Sequence, residues 1–436
     1  MALFQQLRVS PAQVSLAAVL KCGQSFRWSI FPLPTPETKP EAGQGSLDTP
    51  LADALKGVPT HEYRLCLKDR VVCLQQSSDT LFYRSAFPDP QPSPAQRAEK
   101  EVETLAWIRD YFQMDVDLED LYAQWALQDK VFAKFQDRFK GIRILRQDPW
   151  ENLVSFICSS NNNISRITKM VHNLCKQFSP PLLSLPDPSD PSQTNTYHPF
   201  PPPSLLATPD VTGTLRTLGF GYRADYIQRT AKMLFDTHTA APLSSGLREP
   251  SEVWLSGLRL QDTSKAREEL LKFVGVGRKV ADCILLMSLD KKEVVPVDTH
   301  VYQIAVKHYG LKGSSGGKVT MTPKLYDEVN ARLQSLWGDY AGWAHSVLFT
   351  ADLKIFSTYG LESSSPVKVQ STSKKAKKAK AITAVMGEPM SPLTPLPSPT
   401  QTPVKRKLEV VETVLETTEL TTLAERIKRR KRGGKP

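Results

Sequence analysis

Long apolar runs, paired cysteines and a strongly charged body are what this 436-residue sequence does without. No stretch of about 18 apolar residues occurs, so no membrane-crossing helix is expected. Six cysteines (Cys22, Cys66, Cys73, Cys158, Cys175, Cys283) form no Cys-x-x-Cys pair. That excludes zinc ribbons and suits free thiols in a reducing compartment. The net charge is +11, but its location matters: residues 364–436 hold sixteen Lys and Arg against six Asp and Glu. The first 363 residues therefore carry only about +1, and the high isoelectric point says nothing about nucleic-acid binding by the body.

Apolar residues make up 40%, enough for a substantial core, and the length suits two domains plus a tail. Residues 1–21 lack acidic side chains and contain Arg8 and Lys21, a pattern shared with mitochondrial presequences. The better reading is structural: Val14 to Leu20 alternates, then Cys22-Gly23-Gln24-Ser25-Phe26-Arg27-Trp28 reads as a turn followed by a strand. Residues 33–58 are rich in proline and glycine and form a loop insertion. Period-two runs at 61–67, 71–74 and 80–83 predict an antiparallel sheet with one face buried. From Pro94 the period becomes helical, over 97–112 and 118–127. Further helices are expected in 131–178, one opened by Asp148-Pro149, with a break at Ser159-Ser160-Asn161-Asn162-Asn163. Residues 179–210 contain ten prolines and read as an irregular connection. Helix resumes near Leu215, breaks at Gly219-Phe220-Gly221-Tyr222-Arg223, and continues over 224–235, 323–336 and 342–353. Beyond about Ser363 the chain turns to Ser, Thr, Pro and Lys, the composition of a disordered tail. Three basic clusters there, around Lys374, Lys405 and Arg429, point to nuclear import machinery or non-specific DNA contact.

The chain is organised around residues 271–302. A helical run over 265–273 ends at Val274-Gly275-Val276-Gly277, and a second begins at Arg278-Lys279. The glycines permit a tight turn and leave N–H groups bare at a helix start, where an anion is favoured. This is the pattern of a helix-hairpin-helix gripping a DNA phosphate. Nineteen residues after Lys279, Asp298 follows Val295-Pro296-Val297 as the N-cap of a run over 300–308. Lys279 in the first helical turn, partly buried, is expected to lose its proton easily and serve as a Schiff-base nucleophile. Asp298 supplies an anion for a developing cation. Taken singly, each has an ordinary reading, a phosphate-binding lysine and a structural cap.

Gly275-Val276-Gly277-Arg278-Lys279-Val280-Ala281-Asp282-Cys283, followed by Val295-Pro296-Val297-Asp298-Thr299-His300, resembles the helix-hairpin-helix-GPD DNA glycosylases. Within them it resembles the eukaryotic 8-oxoguanine DNA glycosylase/AP lyases. The stretches Gly23–Trp28, Phe156–Ile164 and Tyr340–Phe349 extend the likeness over residues 10–355. The resemblance implies an α+β fold: an N-terminal antiparallel-sheet domain (1–130) packed on an all-α helix-hairpin-helix domain (131–357), with the disordered basic tail over 358–436. It implies excision of 8-oxoguanine opposite cytosine from damaged double-stranded DNA, through a lysine Schiff base and β-elimination. Lys279 attacks the sugar and Asp298 stabilises the cationic state. Gly23, Cys283, Met287, Pro296, Asp298, His345 and Phe349 bind the base, Gly23 through its carbonyl. Asn161, Arg166, Tyr222, Arg223, Gly275, Gly277, Val280 and His300 contact DNA, Asn161 filling the gap and the arginines reading the orphaned cytosine. No metal and no cofactor is required, and the protein is expected to be a nuclear monomer, with a mitochondrial form left open. The family commonly carries Gln where this chain has His345; imidazole cannot reproduce an amide's side-by-side donor and acceptor, so base affinity or its pH dependence should differ. Two alternatives stay open: a glycosylase of the same superfamily for another damaged base, and a non-catalytic DNA-binding module. The iron–sulfur branch is excluded by the lack of cysteine after Cys283.

Overall fold

The computed structural model describes residues 3–34, 57–238, 248–311 and 321–361. The tail beyond residue 361 and most of the 33–58 insertion lie outside them, as do the expectations attached to both; residues 358–361, placed in the tail by the sequence, are ordered, with Tyr359 stacked on Phe139. Five antiparallel strands, β1 (Gln5–Arg8), β2 (Ser29–Pro32), β3 (His61–Cys66), β4 (Val71–Gln76) and β5 (Thr80–Ala86), form one sheet in the order β1-β5-β4-β3-β2. Tyr63 opposite Leu74, and Leu74 opposite Tyr83, fix the register. Tyr63, Leu65, Val72, Leu74 and Leu81 face one side. They meet Ile108, Tyr111 and Phe112 at the end of the Pro94–Tyr111 helix, which starts at a Ser93/Gln96 capping box.

The opposite face is covered too, contrary to the expected single buried face. The proline-rich connection folds into a hairpin, β6 (Leu183–Pro186) with β7 (Thr194–Tyr197), and Tyr197 packs on Cys66, Val71 and Cys73. Glu62 and Arg64 alternate as solvent-facing strand residues do, yet both are buried. Glu62 accepts from Arg64 Nε at 2.6 Å and from Arg84 at 3.1 Å, and Arg64 donates to Pro186 O at 2.8 Å. Polar alternation there marks a buried ion network rather than water.

The remaining core is helical. Trp150, Leu153 and Ile157 of the Pro149–Ser159 helix, Ala281, Ile284 and Leu285 of Arg278–Ser288, and Trp343, Ala344 and Val347 of Ala341–Asp352 form its centre. Residues 14–20, read as alternating, contain a one-turn helix, Leu16–Val19, and the strand begins only at Ser29. The reason is tertiary: Val14, Leu16 and Val19 join the sheet core, while Ala18, Cys22 and Phe26 turn into the helical core. Phe26 packs edge-on against Phe156 with centroids 5.8 Å apart. Burying such a ring contributes about 1.5–3 kcal/mol. This inserted turn carries Gly23 to the centre of the helical half. Among the described residues, no helix is long and apolar enough to cross a membrane.

Candidate active site

The Thr263–Leu271 and Arg278–Ser288 helices are joined by a turn in which Gly275 has φ +83°. A Cβ at Gly275 would lie 2.5 Å from the Tyr226 ring, so both backbone and space require glycine. At Gly277 nothing lies within 4 Å of such a Cβ, and a ligand can approach the backbone. The first bond of the second helix runs from Ala281 N–H to Gly277 O at 2.9 Å. The N–H groups of Arg278, Lys279 and Val280 therefore precede the helical ladder at its positive end. The Val280 side chain is buried in the core; only its backbone can meet DNA.

In the first turn of that helix, Lys279 enters a small cavity. Gly23, Phe156, Lys279, Cys283, Met287, Pro296, Asp298, His345 and Phe349 all line it. Every residue assigned to catalysis or base binding by resemblance is thus on one cavity wall. Phe156, Cys22 and Gln24 were not among the expected site residues. Gln24 is buried, accepts from Leu145 N–H at 3.0 Å and donates to Arg143 O at 2.9 Å, clamping the turn next to Gly23. The signal for it was present: a glutamine between a glycine and the core residue Phe26. Gly23 itself has φ +89°, and a Cβ there would meet Ile164 at 2.9 Å. The cavity's volume, about 50 Å³, is roughly a third of the about 150 Å³ of an engineered cavity that admits benzene, so a purine enters only if the walls move. A larger cavity of about 350 Å³, bordered by Trp107, Tyr111 and Arg259, contains neither Lys279 nor Asp298.

The electrostatics correct one expectation. Burial lowers the affinity of Lys279 for its proton, but its contact with the Cys283 side chain and the charge of Asp298 raise it by more, and the net direction is upward. Lys279 is an ammonium at rest, stacked 5.3 Å over the Phe156 ring. Helix-dipole and burial arguments pointed the other way because they omitted these two partners. Burial pushes the Cys283 thiol up to about 11. Asp298 caps the Thr299–Tyr309 helix as expected, accepting from His300 N–H at 2.9 Å and Val301 N–H at 3.0 Å.

His345 is 6% exposed, and neither ring nitrogen has a hydrogen-bond partner. Burial lowers its pKa to about 4; Asp298 and the nearby Gly342 carbonyl, which lies outside hydrogen-bond geometry, oppose the shift. At neutral pH the ring is uncharged and offers one donor and one acceptor. An unpaired polar group this deep is costly unless something fills it. Phe349 lies 5.9 Å from His345 and 6.1 Å from His300, ring to ring. His300 is exposed, its Nδ1 3.4 Å from Asp352.

The expected DNA-contacting loop residues assemble elsewhere on the helical half. Asn161 is exposed with φ +49°. Tyr222 Oη donates to Ser160 O at 3.1 Å, and Arg166 reaches Gly219 O at 3.1 Å. Arg223 is not the exposed fork the sequence suggested. It is 3% exposed, and its guanidinium donates to the carbonyls of Ser160, Asn161 (3.1 Å) and Phe220 (3.4 Å). Among the described residues no group of three His, Cys, Asp or Glu is placed to hold a metal ion.

Comparison with known proteins agrees with this architecture. Residues 6–153 match the 8-oxoguanine DNA glycosylase N-terminal domain, and residues 154–334 match the HhH-GPD superfamily of base excision DNA repair proteins. The chain is 33% identical over 381 residues to an N-glycosylase/DNA lyase of Saccharomyces cerevisiae, covering 84% of this chain and 90% of the relative. It is 38% identical over 260 residues to the N-glycosylase/DNA lyase OGG1 of Arabidopsis thaliana, covering 60% and 65%. In fold it is similar to the apo-form of the Clostridium acetobutylicum 8-oxoguanine glycosylase/lyase, with a TM-score of 0.56 and 24% identity over 80% of this chain and 98% of that one. The chain therefore belongs to the N-glycosylase/DNA lyase family of HhH-GPD base excision DNA repair proteins.

Proposed function

We propose that this protein removes 8-oxoguanine opposite cytosine from duplex DNA and then cleaves the abasic strand. One observation carries the reading: a single cavity gathers Lys279, Asp298, the Gly23 turn and an unpaired buried His345. The glycosidic bond breaks with its electron pair leaving on the base, and positive charge develops at C1′. Asp298, an anion across the cavity, stabilises that charge. The departing base, which carries that electron pair, takes the proton of the resting Lys279 ammonium. The free amine then bonds to C1′, the sugar ring opens, and an iminium results. Loss of a C2′ proton expels the 3′ phosphate, which is β-elimination. Cys283 and Phe349 flank the base, Met287 and Pro296 close the pocket, and the Gly23 carbonyl accepts the N7 proton that guanine lacks. His345 presents its donor and acceptor to the base edge. No cofactor enters this scheme.

Outside the pocket, the N–H groups following Gly275 and Gly277, with His300, hold the phosphate backbone. Asn161 fills the vacated stack and Tyr222 wedges beside it. Arg166 and Arg223 read the cytosine, Arg223 after leaving its carbonyl partners. We place the protein in the nucleus as a monomer, imported through its basic tail. The test is borohydride trapping across duplexes that differ only in the lesion and its opposing base. The strongest covalent adduct is expected with 8-oxoguanine opposite cytosine. Equal or stronger trapping with another damaged base would move the substrate to that base, and no adduct with any lesion would leave a DNA-binding module.

A further inference from the structure

Asp298 ends the segment 291–298, which has no regular structure of its own. Three side chains of the Pro323–Trp337 helix hold that segment. Tyr326 Oη accepts from Val297 N–H at 3.1 Å, Asn330 Nδ2 donates to Val295 O at 2.8 Å, and Gln334 Nε2 donates to Glu293 O at 3.0 Å. The spacing is regular: positions i, i+4 and i+8 of a helix engage every second residue of the segment. Four helical residues rise about 6 Å. Two residues of extended chain span roughly 6.6 Å, and Val295 is held extended because a proline follows it. The two periods match closely enough for three contacts in a row.

Tyr326 does one thing more. Its hydroxyl donates to Asp282 Oδ2 at 2.6 Å. Asp282 has no exposed surface and also accepts from Arg267 Nε at 2.8 Å. It stands on the helix of Lys279, three residues beyond it and directly before Cys283. One buried hydroxyl therefore joins the residue before Asp298 to the helix that carries Lys279. From the other side, Gly342 N–H donates to Lys292 O at 3.0 Å, and a Cβ at Gly342 would lie 2.3 Å from Val294 O. The segment is clamped between two helices.

We propose that Tyr326 is a positioning residue: through Val297 and Asp282 it sets the distance and direction of Asp298 relative to Lys279, with Asn330 and Gln334 holding the same segment at increasing distance from the site. This rests on the reading of Lys279 and Asp298 as the reacting pair. The helix that holds these three residues lines neither side of the base cavity, so they act only through the segment.

The test uses the full chain and four variants, Y326F, N330A, Q334A and D298N, with the double variant D298N/Y326F. Single-turnover base excision and trapping on a preformed abasic site are both measured, alongside affinity for a duplex with a non-cleavable abasic analogue and the melting temperature. Y326F keeps the ring and removes only the hydroxyl. A displacement of about 1 Å at a reacting group can cost on the order of 100-fold, so Y326F should slow excision by roughly ten- to a hundredfold with analogue affinity within about twofold of wild type. The losses should fall in the order Tyr326, Asn330, Gln334, whatever the order of melting temperatures. The double variant should be no slower than D298N, because residues acting as one unit are not additive. Losses that track melting temperature, or that multiply in the double variant, overturn the proposal. If Y326F does not fold, the gradient between N330A and Q334A decides: equal losses overturn it. An inactive wild type would instead overturn the functional reading itself.

Discussion

The base cavity and the Asn161 loop differ in where their polar groups are spent. In the cavity, His345 is buried with both nitrogens unpaired, and the Lys279 ammonium rests over an aromatic ring. At the Asn161 loop, the residue expected to read a base, Arg223, has its guanidinium committed to three backbone carbonyls, and Tyr222 lies 4.5 Å from it as a cation–π partner. The loop is satisfied by itself and must exchange its contacts to meet DNA. The polar groups for the damaged base are thus already gathered in one cavity, whose walls must still part to admit it, whereas at the Asn161 loop the polar groups themselves must change partners.

Three changes would break or sharpen that contrast. The largest effect should come from Gly275→Ala, at the hairpin turn proposed to hold the DNA backbone. Its positive φ costs about 1–2 kcal/mol for any residue with a Cβ, and the contact with Tyr226 adds about 1–3 kcal/mol of overpacking. Chemical denaturation should show a loss of several kcal/mol, with weaker binding to undamaged duplex. Next is Arg223→Met, which leaves the loop carbonyls without their donor. Stability should fall by about 1–3 kcal/mol, the cost of leaving a buried acceptor unsatisfied. Preference for cytosine over adenine opposite the lesion should narrow, while trapping on a preformed abasic site stays near wild type. If Arg223→Met instead affects trapping and opposite-base preference equally, the two regions are one unit and the contrast fails.

At neutral pH the smallest effect belongs to His345→Gln, whose change appears only in acid. A histidine whose pKa falls from 6.5 unfolded to about 4 folded binds fewer protons in the native state between those values. Its burial therefore leaves stability intact above pH 6.5 and erodes it as pH falls toward 4. His345→Gln should remove that acid loss and leave stability at pH 7 nearly unchanged, as pH-dependent unfolding would show. The same shift means that base affinity owed to His345 is flat from pH 6 to 8 rather than titrating near 6.5.

The sequence announced the hairpin and the Asp298 cap because both depend on local chemistry: glycines before a helix start, and aspartate after proline. It also announced most helices, through their period and caps. It could not show the β6–β7 hairpin, whose strands lie among prolines and whose partner face is lined by Glu62 and Arg64. Nor could it show that Leu16–Val19 is helical, since those residues are divided between two cores. At the site, the protonation of Lys279 was misread because it depends on Cys283 and Asp298, the second of which comes near only in three dimensions. Arg223 was misread for the same reason: its carbonyl partners lie 62 residues or more away, apart from Phe220. The Tyr326–Asn330–Gln334 contacts left only a faint trace, polar residues at i, i+4 and i+8 on a helix outside every recognised motif.

The central claim is that Lys279, at the hairpin's second helix, forms the covalent bond to DNA. Borohydride trapping on a duplex with 8-oxoguanine opposite cytosine, followed by mass spectrometry of the digested adduct, tests it most directly. The DNA fragment should be found on Lys279, and Lys279→Gln should give no adduct while still binding the duplex. A fragment mapped to any other lysine, or undiminished trapping by Lys279→Gln, would contradict the account.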